Sequence, residues 1–287
     1  KETETVLVLH AGGAASRAPT QMCLGKAWTS LPTIKNGLTT PLELWLELCG
    51  VLFRNIPRQA CVVIASDTLL YLPDWKPIDL ELHDSNTVVA LAVPAPLDTA
   101  KNHGVFVIDS FDSSVQVLPC CAILQKPDLS TLQSCGFKYD GSDVAWIDAG
   151  VTIFSPQATK SFRSLAVEHL ARCTKTGLEQ LYNQEGRPGS LVDFSKQRAL
   201  SVDLYTHVMQ ALALSNKVNN AREYKNRYAD LAVVDDIWDA LSSTRLRILA
   251  VRTGQFWHLG STHELQQFIV DATLSNGPVS NRRQAFG

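Results

Sequence analysis

The sequence predicts an α/β fold, with a mixed, mostly parallel β-sheet and helices on both of its faces. Short runs of branched apolar residues alternate along the chain with segments in which apolar residues recur at helical spacing, which is typical of such a sheet. The composition agrees. Of the 287 residues 45% are apolar and 19% are charged, which supplies a sizeable core and excludes a disordered chain.

Strands are predicted where short apolar runs are bounded by polar or turn-forming residues. We expect the first three runs to be buried, and the runs at 103–109 and 116–127 to surround turns. The runs are "TVLVLH" (5–10), "ACVVIASD" (60–67), "NTVVALAVP" (86–94), "HGVFVID" (103–109), "QVLPCCAILQKP" (116–127), "VAWIDAGVTIF" (144–154) and "RLRILAV" (245–251).

Helices are predicted between the strands, most clearly in "TTPLELWLELCGVLFR", where Thr40, Pro41 and Glu43 form a capping box. The apolar residues expected on its buried face are Leu42, Trp45, Leu46 and Cys49. Further helices are predicted at 155–171 with Ser155 as cap, at 201–214, near 233–242, and after a cap formed by Ser261 and Glu264. Residues 216–230 have the weakest predicted order.

Charge and cysteine content restrict the partners. The net charge of −2 predicts no nucleic-acid partner, and no apolar run approaches the roughly 20 residues that cross a bilayer, so no membrane partner is expected. The seven cysteines are odd in number and lack C-x-x-C spacing, which predicts small buried hydrophobes in a reducing, cytoplasmic compartment rather than a zinc site. Because the chain starts at a lysine just before a strand, we expect a piece of a longer protein.

Ligands of α/β sheets bind at the carboxyl ends of strands, so the segment after the first strand is a candidate site. Gly12 and Gly13 allow close approach to backbone N–H groups, Ser16 offers a hydroxyl, and Arg17 and Lys26 offer cations. The pattern predicts a nucleotide phosphate site, although it lacks Walker A spacing. A surface turn with solvated cations is the alternative.

The same segment, "LHAGGAASRAPTQMCLGKAWTSLP", resembles the nucleotide loop of L-fucose-1-phosphate guanylyltransferases (GDP-fucose pyrophosphorylases), especially that of bifunctional fucokinase/GDP-fucose pyrophosphorylases. Further blocks resemble the family in the same order along most of the chain. They are "IASDTLLYLP", "NHGVFVIDSF", "LQKPDLSTL", "WIDAGVTIFSPQA", "DLYTHVMQAL" and "FWHLGSTHEL".

The resemblance implies a nucleotidyltransferase domain of GT-A, Rossmann-like fold over residues 1–287. It also implies a reaction of GTP with L-fucose 1-phosphate that yields GDP-L-fucose and pyrophosphate. A phosphate monoester is already an anionic nucleophile, so such a site needs positioning and charge neutralisation rather than a strong base. Cations and Mg²⁺ are therefore expected, and a covalently linked sugar kinase is an expected partner.

The resemblance assigns Arg17 and Lys26 to the triphosphate and Lys126 to the sugar phosphate, where a solvated lysine is the alternative. Asp67, at the end of an apolar strand, is expected to bind the metal or to form an Asx-turn.

Sugar contacts are expected from Asp148, and from Asn102, His103 and Gly104, where an ordinary turn is the alternative. Asp148 interrupts an apolar strand, so it either has a buried partner or faces a site.

The sequence departs from the family at His207, which stands where relatives carry an aspartate. Asp203, one turn earlier on the same helical face, is then the expected second metal ligand, unless that carboxylate is missing. His258, between Trp257 and Leu259, is expected to be a core residue. Two other functions stay open: a non-catalytic domain that regulates a fucokinase, and the same reaction with another nucleotide or sugar.

Overall fold

The structure is a computed structural model, and it describes residues 4–10, 25–32, 38–71, 86–108, 117–135, 142–167, 202–215, 220–231, 233–252 and 255–274. Four predicted site residues, Gly12, Gly13, Ser16 and Arg17, lie outside the described residues, as does the stretch 175–198.

The described strands and helices follow the predicted order. The strands are β1 (Val6–His10), β2 (Leu31–Pro32), β3 (Leu38–Thr39), β4 (Cys61–Ala65), β5 (Thr68–Tyr71), β6 (Thr87–Pro96), β7 (Gly104–Val107), β8 (Val117–Pro119), β9 (Ala122–Gln125), β10 (Val144–Phe154), β11 (Arg245–Ala250) and β12 (Gln255–His258). The helices are α1 (Pro41–Leu52), α2 (Leu97–Ala100), α3 (Leu129–Ser134), α4 (156–167), α5 (Gln210–Ser215, preceded by a π-helical turn Leu204–Met209), α6 (Ala221–Arg227), α7 (Val234–Leu241) and α8 (Thr262–Leu274). A 3₁₀ turn covers Lys26–Trp28.

The main sheet is mixed, with the strand order β1-β4-β10-β6-β11-β8, and β7 pairs with β10 and β9. The pairs β1/β4 and β6/β11 are parallel, whereas β10 runs antiparallel between β4 and β6. Consequently β1, β4, β6, β7 and β11 point one way and β8, β9 and β10 the other. The predicted α/β class is confirmed.

Two apolar cores lie on opposite faces of this sheet, because alternate residues of β6 point to opposite sides. Val89 and Leu91 enter the core covered by α1, whereas Val88 and Ala90 enter the core covered by α5, α6 and α7. Burial on both faces explains why β6 is a nearly continuous apolar run rather than an alternating one.

Helix α1 begins as predicted. The side chain of Thr40 accepts a hydrogen bond from the Glu43 N–H, and Glu43 accepts one from the Thr40 N–H. Its predicted buried face is partly wrong, because Leu46 is 51% exposed. The buried row is Trp45, Leu48 and Leu52, residues three or four apart on one face, whereas Leu46 is turned away by about 100°.

Strand β1 was expected to be buried, and this expectation is wrong. Val6, Leu7 and Val8 are 51%, 40% and 40% exposed. Strand β1 is the edge of the described sheet and pairs with β4 alone within it, so its side chains lack a neighbouring strand on one side.

The region with the weakest predicted order, residues 216–230, contains a helix. Residues 216–219 are outside the described residues, but Ala221–Arg227 forms α6, around the fully buried Tyr224. The Tyr224 hydroxyl donates to the carbonyl oxygen of His207 at 3.1 Å, and its ring packs on Trp238 with a centroid distance of 5.4 Å. One aromatic anchor therefore orders a segment whose composition is otherwise polar.

Among the described helices, none has the length and apolar character that a bilayer crossing requires.

Candidate functional site

A cavity of about 480 Å³ opens where β1 and β4 end. Six residues that the sequence singled out line it, namely Asp67, Asn102, His103, Gly104, Lys126 and Asp148. Tyr205, Gln125, Phe256, His258 and Glu264 also contribute to the wall. Segments far apart in sequence therefore meet at one end of the sheet, as expected for a ligand site in an α/β protein.

The tight turn between β4 and β5 presents Asp67. The Ser66 N–H donates to the His10 carbonyl at 3.1 Å, which ties this turn to the end of β1. The Thr68 hydroxyl donates to the Ala65 carbonyl at 2.9 Å, and the buried Trp45 indole N–H donates to the Thr68 carbonyl at 2.8 Å. The backbone at Asp67 is thus held from three sides.

The Asp67 carboxylate belongs to a charge network formed by Lys26, Asp67, His258 and Glu264. Lys26 Nζ lies 2.5 Å from Asp67 Oδ2, and His258 Nε2 lies 3.6 Å from the same oxygen. The other ring nitrogen of His258, Nδ1, lies 2.8 Å from Glu264 Oε1. The network joins the 3₁₀ turn, the β4–β5 turn, β12 and α8. The partners of Asp67 are thus side chains from other segments, which differs from the Asx-turn alternative.

Burial and pairing act in opposite directions on the ionisation of this network. Burial would raise the pKa of Asp67, but the nearby His258 and the hydrogen-bonded, positively charged Lys26 outweigh it and hold that pKa well below its usual range. Burial would lower the pKa of His258, but the nearby Asp67 carboxylate and the hydrogen bond to Glu264 raise it. Asp67 is therefore ionised, and His258 holds its proton more tightly than a free histidine.

Asp148 lies in a bulge of β10, between register positions Asp148 and Thr152. Its Oδ1 accepts a hydrogen bond from the Gly150 N–H at 2.8 Å, and the Tyr205 hydroxyl is a second partner. Burial raises the pKa of Asp148 to about 6, although both hydrogen bonds act to lower it. The pKa of Tyr205 lies well above its usual value, because of the Asp148 charge and burial.

Gly150 allows this bulge to approach the β4–β5 turn. Its φ is +75°, and a Cβ there would lie 2.8 Å from Thr68 Oγ1 and 3.0 Å from the Ala65 Cβ. Only glycine fits both the conformation and the space. Two of the carboxylates that line the cavity, Asp67 and Asp148, are thereby brought to neighbouring parts of its wall.

The turn from α2 into β7 carries Asn102, His103 and Gly104. It is closed by hydrogen bonds from the Asn102 N–H to the Thr99 carbonyl (3.1 Å) and from the His103 N–H to the Ala100 carbonyl (3.0 Å). The His103 ring meets the rings of Phe256 and His258 edge-on, with centroid distances of 5.5 and 5.6 Å. Burial and then the His258 charge lower the pKa of His103, so this imidazole is neutral near pH 7.

Lys126 follows β9 in a left-handed conformation with φ +46°, and its N–H donates to the His103 carbonyl at 3.1 Å. A residue with a side chain is uncommon at such a φ, and such outliers concentrate at functional sites. The side chain of Lys126 is exposed, and Lys126 lines the cavity, as Asn102 does.

Asp203 is the N-cap of the π-helical turn that precedes α5. Its Oδ1 accepts a hydrogen bond from the Thr206 N–H at 2.6 Å and caps the helical segment, and its own N–H donates to His207 Nδ1 at 2.8 Å. Asp203 is not among the residues that line the cavity, whose second carboxylate is Asp148. In the described ranges, no three His, Cys, Asp or Glu side chains cluster to hold a metal. Asp203 as a metal ligand stays a prediction that its capping contacts do not support.

His258 was expected in the core, but it lines the cavity. In β12 it pairs with Thr68 of β5, which brings its ring to Asp67. Gly260 leaves space for the ring, because a Cβ there would lie 2.2 Å from His258 Cε1. Two features of the sequence could have indicated that His258 lines a cavity. They are Gly260, two residues after the histidine, and Glu264, the acid of the helix cap that follows.

These features define an α/β protein with a cavity at the carboxyl ends of β1 and β4, lined by paired charges and by the carboxylates of Asp67, Asp148 and Glu264. Comparison with known families is more specific. The family described as the fucose pyrophosphorylase domain matches residues 2–285, and the chain belongs to this family.

Two relatives are named fucose-1-phosphate guanylyltransferase. The Homo sapiens protein is 25% identical over 282 residues, which cover 95% of this chain and 44% of that protein. The Mus musculus protein is 26% identical over 286 residues, covering 94% of this chain and 45% of that protein. The chain therefore spans less than half the length of these relatives.

Solved structures that resemble the chain include UDP-glucose pyrophosphorylase in complex with UDP-glucose. It is 11% identical, with a TM-score of 0.45 and 99% of both chains covered. UDP-glucose pyrophosphorylase from Acinetobacter baumannii is 10% identical, with a TM-score of 0.37, and covers 84% of this chain and 59% of its own.

Proposed function

We propose that this protein transfers the guanylyl group of GTP to L-fucose 1-phosphate, giving GDP-L-fucose and pyrophosphate. Membership of the fucose pyrophosphorylase domain family and the names of the two mammalian relatives support this reaction. The structural observation that carries it is the cavity, which gathers a lysine at its mouth, a second lysine tied to its wall and a carboxylate with neutral partners.

The reaction forms one bond and breaks one. An oxygen of the sugar phosphate attacks the α-phosphorus of GTP in line, and the bond from that phosphorus to the bridging oxygen breaks as pyrophosphate leaves. No proton must be removed from the nucleophile, so the protein has to align two polyanions and offset their repulsion. In this proposal Lys126 binds the sugar phosphate, and Lys26, with Arg17, Ser16 and the glycine pair, binds the triphosphate.

Lys26 can do this without leaving Asp67. An ammonium group has three N–H donors, and the Asp67 carboxylate occupies one of them. The Lys26 side chain is only 10% exposed, so its charge is poorly screened and acts strongly on a nearby phosphate. Asp67 and His258 would then fix the ammonium in place before the nucleotide arrives.

Mg²⁺ is part of the proposal. This ion usually keeps several waters and binds through one or two carboxylates and the substrate phosphates, so a closed protein cage is not required. Asp67, ionised and at the cavity wall, fits as a single protein ligand, shared with Lys26. When bound, the ion would neutralise charge on the triphosphate.

We also propose a cytoplasmic location and a linked sugar kinase that would supply the sugar 1-phosphate. The location is supported by the seven cysteines of the sequence, which lack C-x-x-C spacing and two of which, Cys120 and Cys121, are buried. The linked kinase rests on the resemblance of the sequence alone.

The test is pyrophosphate release from GTP and fucose 1-phosphate with Mg²⁺. Parallel reactions with UTP, ATP and mannose 1-phosphate establish the base and the sugar. We expect the fastest release from GTP with fucose 1-phosphate. Faster release from another pair would correct the substrate assignment and keep the reaction type.

A non-catalytic domain that regulates a fucokinase is the second candidate. The observation in its favour is His207, which stands in place of the family aspartate and is bonded to the cap at Asp203. Such a domain would release no pyrophosphate from any pair while still unfolding cooperatively. A folded, inactive protein whose melting temperature GTP and Mg²⁺ do not raise would favour this candidate.

A further inference from the structure

The geometry points to a sugar-binding patch formed by Asp148 and Tyr205. This patch selects the sugar by accepting hydrogen bonds from two of its hydroxyl groups. This inference rests on the proposed function and deepens it. It assigns a specificity role to Tyr205, for which the sequence had suggested none.

Asp148 differs in its partners from Asp67 and Glu264, the other carboxylates of the cavity, because Glu264 also pairs with His258. Asp67 is bound by Lys26 and His258, both cationic when protonated. Among the described residues, the groups that hydrogen-bond to Asp148 are the Gly150 N–H and the Tyr205 hydroxyl, and both are neutral. A partly desolvated carboxylate without a cation gains most from further neutral donors.

Tyr205 turns this carboxylate into a two-point acceptor. A phenol has one proton to donate; Tyr205 lines the cavity near Asp148 and interacts with its charge, so that proton is directed to the carboxylate. The phenolic oxygen keeps its lone pairs at the wall of the same cavity. One ligand hydroxyl can therefore donate to the Asp148 carboxylate, and a neighbouring hydroxyl can donate to the Tyr205 oxygen.

The surroundings leave room for a sugar ring. Gly104 has no side chain, and a Cβ built there would lie 3.6 Å from the Asp148 Cβ and 3.5 Å from Gln125 Nε2. The Gln125 amide thus lies beside Asp148 and adds a neutral donor and acceptor. The Gln125 amide from β9, the Asp148 carboxylate from β10 and the Tyr205 hydroxyl from the π-helical turn therefore lie in one polar patch.

Charge decides which end of a sugar phosphate lies at this patch. An ionised Asp148 repels phosphate, whereas Lys126 at the cavity mouth attracts it. The phosphate is therefore directed to Lys126 and the hydroxyls to Asp148 and Tyr205. A sugar lacking one of these hydroxyls would leave a buried acceptor unpaired, and such a loss gives strong discrimination between substrates.

The experiment compares the binding of GDP and GDP-fucose by calorimetry in the unaltered protein, Tyr205→Phe and Asp148→Asn. Both substitutions keep the shape of the side chain. We expect each to weaken GDP-fucose binding about tenfold, the loss typical of one hydrogen bond to a charged group, and to leave GDP binding unchanged. Tyr228→Phe is the matched control, since Tyr228 lies outside this cavity, and it should change neither constant.

A series of GDP-fucose analogues, each lacking one hydroxyl, identifies the contact. The analogue that lacks the hydroxyl bound by Tyr205 should bind the unaltered protein about tenfold more weakly and suffer no further loss with Tyr205→Phe. Equal weakening of GDP and GDP-fucose, or additive losses for every analogue, would overturn the inference.

The outcome for the unaltered protein separates the two proposals. If it binds another nucleotide sugar in preference to GDP-fucose, the proposed substrate is wrong. Analogues of that other sugar, each lacking one hydroxyl, then test the patch formed by Asp148 and Tyr205. If it binds no nucleotide sugar, both proposals fail.

Discussion

Lys26 Nζ lies 2.5 Å from Asp67 Oδ2, although 41 positions separate the two residues in the sequence. The pair ties the 3₁₀ turn after the glycine-rich segment to the turn that ends β4. The 3₁₀ turn belongs to the segment that resembles a nucleotide loop. The ion pair fixes the positions of both side chains relative to each other.

Removal of either partner should reduce catalysis. We expect Lys26→Ala and Asp67→Ala each to lower kcat/KM at least tenfold, or about 1.4 kcal/mol of transition-state stabilisation, in the pyrophosphate assay. Lys101→Ala is the control, because Lys101 pairs with Asp98 at the exposed surface. Full activity in both site variants would show that this pair does not take part.

Part of the cavity lining could be singled out from the sequence, because strand ends are local features. Asp67 ends a short apolar run and Asp148 interrupts one, whereas the role expected of Lys126 came from the family resemblance. The predicted bounds of β10, residues 144–154, agree with Val144–Phe154 in the structure.

The contacts between segments could not be predicted from such patterns. Whether His258 packs in the core or faces a cavity depends on the pairing of β12 with β5, and these strands are distant in sequence. Tyr205 interacts with Asp148 only because the fold brings its helical segment to the bulge of β10. The expected burial of β1 failed for the same reason, since an apolar run does not reveal that its strand lies at an edge.

Asp148 should give activity an acid limb. Its pKa of about 6 means that the carboxylate is protonated below that pH and cannot accept hydrogen bonds from the sugar through both oxygens. We expect kcat/KM for the sugar phosphate to fall below about pH 6. In Asp148→Asn this limb should disappear from a profile that is lower throughout. The cavity also holds the ionisable side chains of Asp67, His103, His258 and Glu264, so an unchanged limb would assign the titration to one of the two histidines.

The same shift has a consequence for stability. The folded-state pKa of Asp148 is raised, so between about pH 4 and pH 6 the folded state binds more protons than the unfolded chain. This group therefore lowers the free energy of unfolding as the pH rises through that window. Asp148→Asn should gain stability relative to the unaltered protein between pH 4 and pH 7, as measured by urea unfolding. A constant difference across that range would contradict the raised pKa.

Two glycines offer a matched test of the bulge. Gly150→Ala should destabilise the protein by about 1–3 kcal/mol, because it combines a positive φ with a Cβ 2.8 Å from Thr68 Oγ1. Gly50→Ala lies in α1 with no atom within 4 Å of its Cβ, and should stabilise by about 0.5–1 kcal/mol. Urea unfolding measures both, and equal effects would show that the bulge adapts.

Glu264 should affect catalysis through His258. Glu264→Gln keeps the length of the side chain but removes the charge that raises the pKa of His258. We expect a several-fold lower kcat/KM. Ser261→Ala is the control, since it removes the cap hydroxyl that contacts Glu264 and costs about 1 kcal/mol of stability. If both variants lose activity in proportion to their loss of stability, Glu264 acts only as part of the cap.

The proposed metal site gives a test that does not depend on turnover. Mg²⁺ should tighten GTP binding to the unaltered protein, because Asp67 would hold the ion and the ion would neutralise charge on the phosphates. In Asp67→Asn, calorimetry should show GTP binding that no longer responds to Mg²⁺. In Asp203→Asn the response should persist, because the Asp203 carboxylate caps the helix at the Thr206 N–H, while the melting temperature falls slightly as the cap weakens. Loss of the Mg²⁺ response in Asp203→Asn alone would instead make Asp203 the ligand. The helix start at Asp203 would then have to rearrange when nucleotide binds, because its carboxylate is occupied by the cap in this structure.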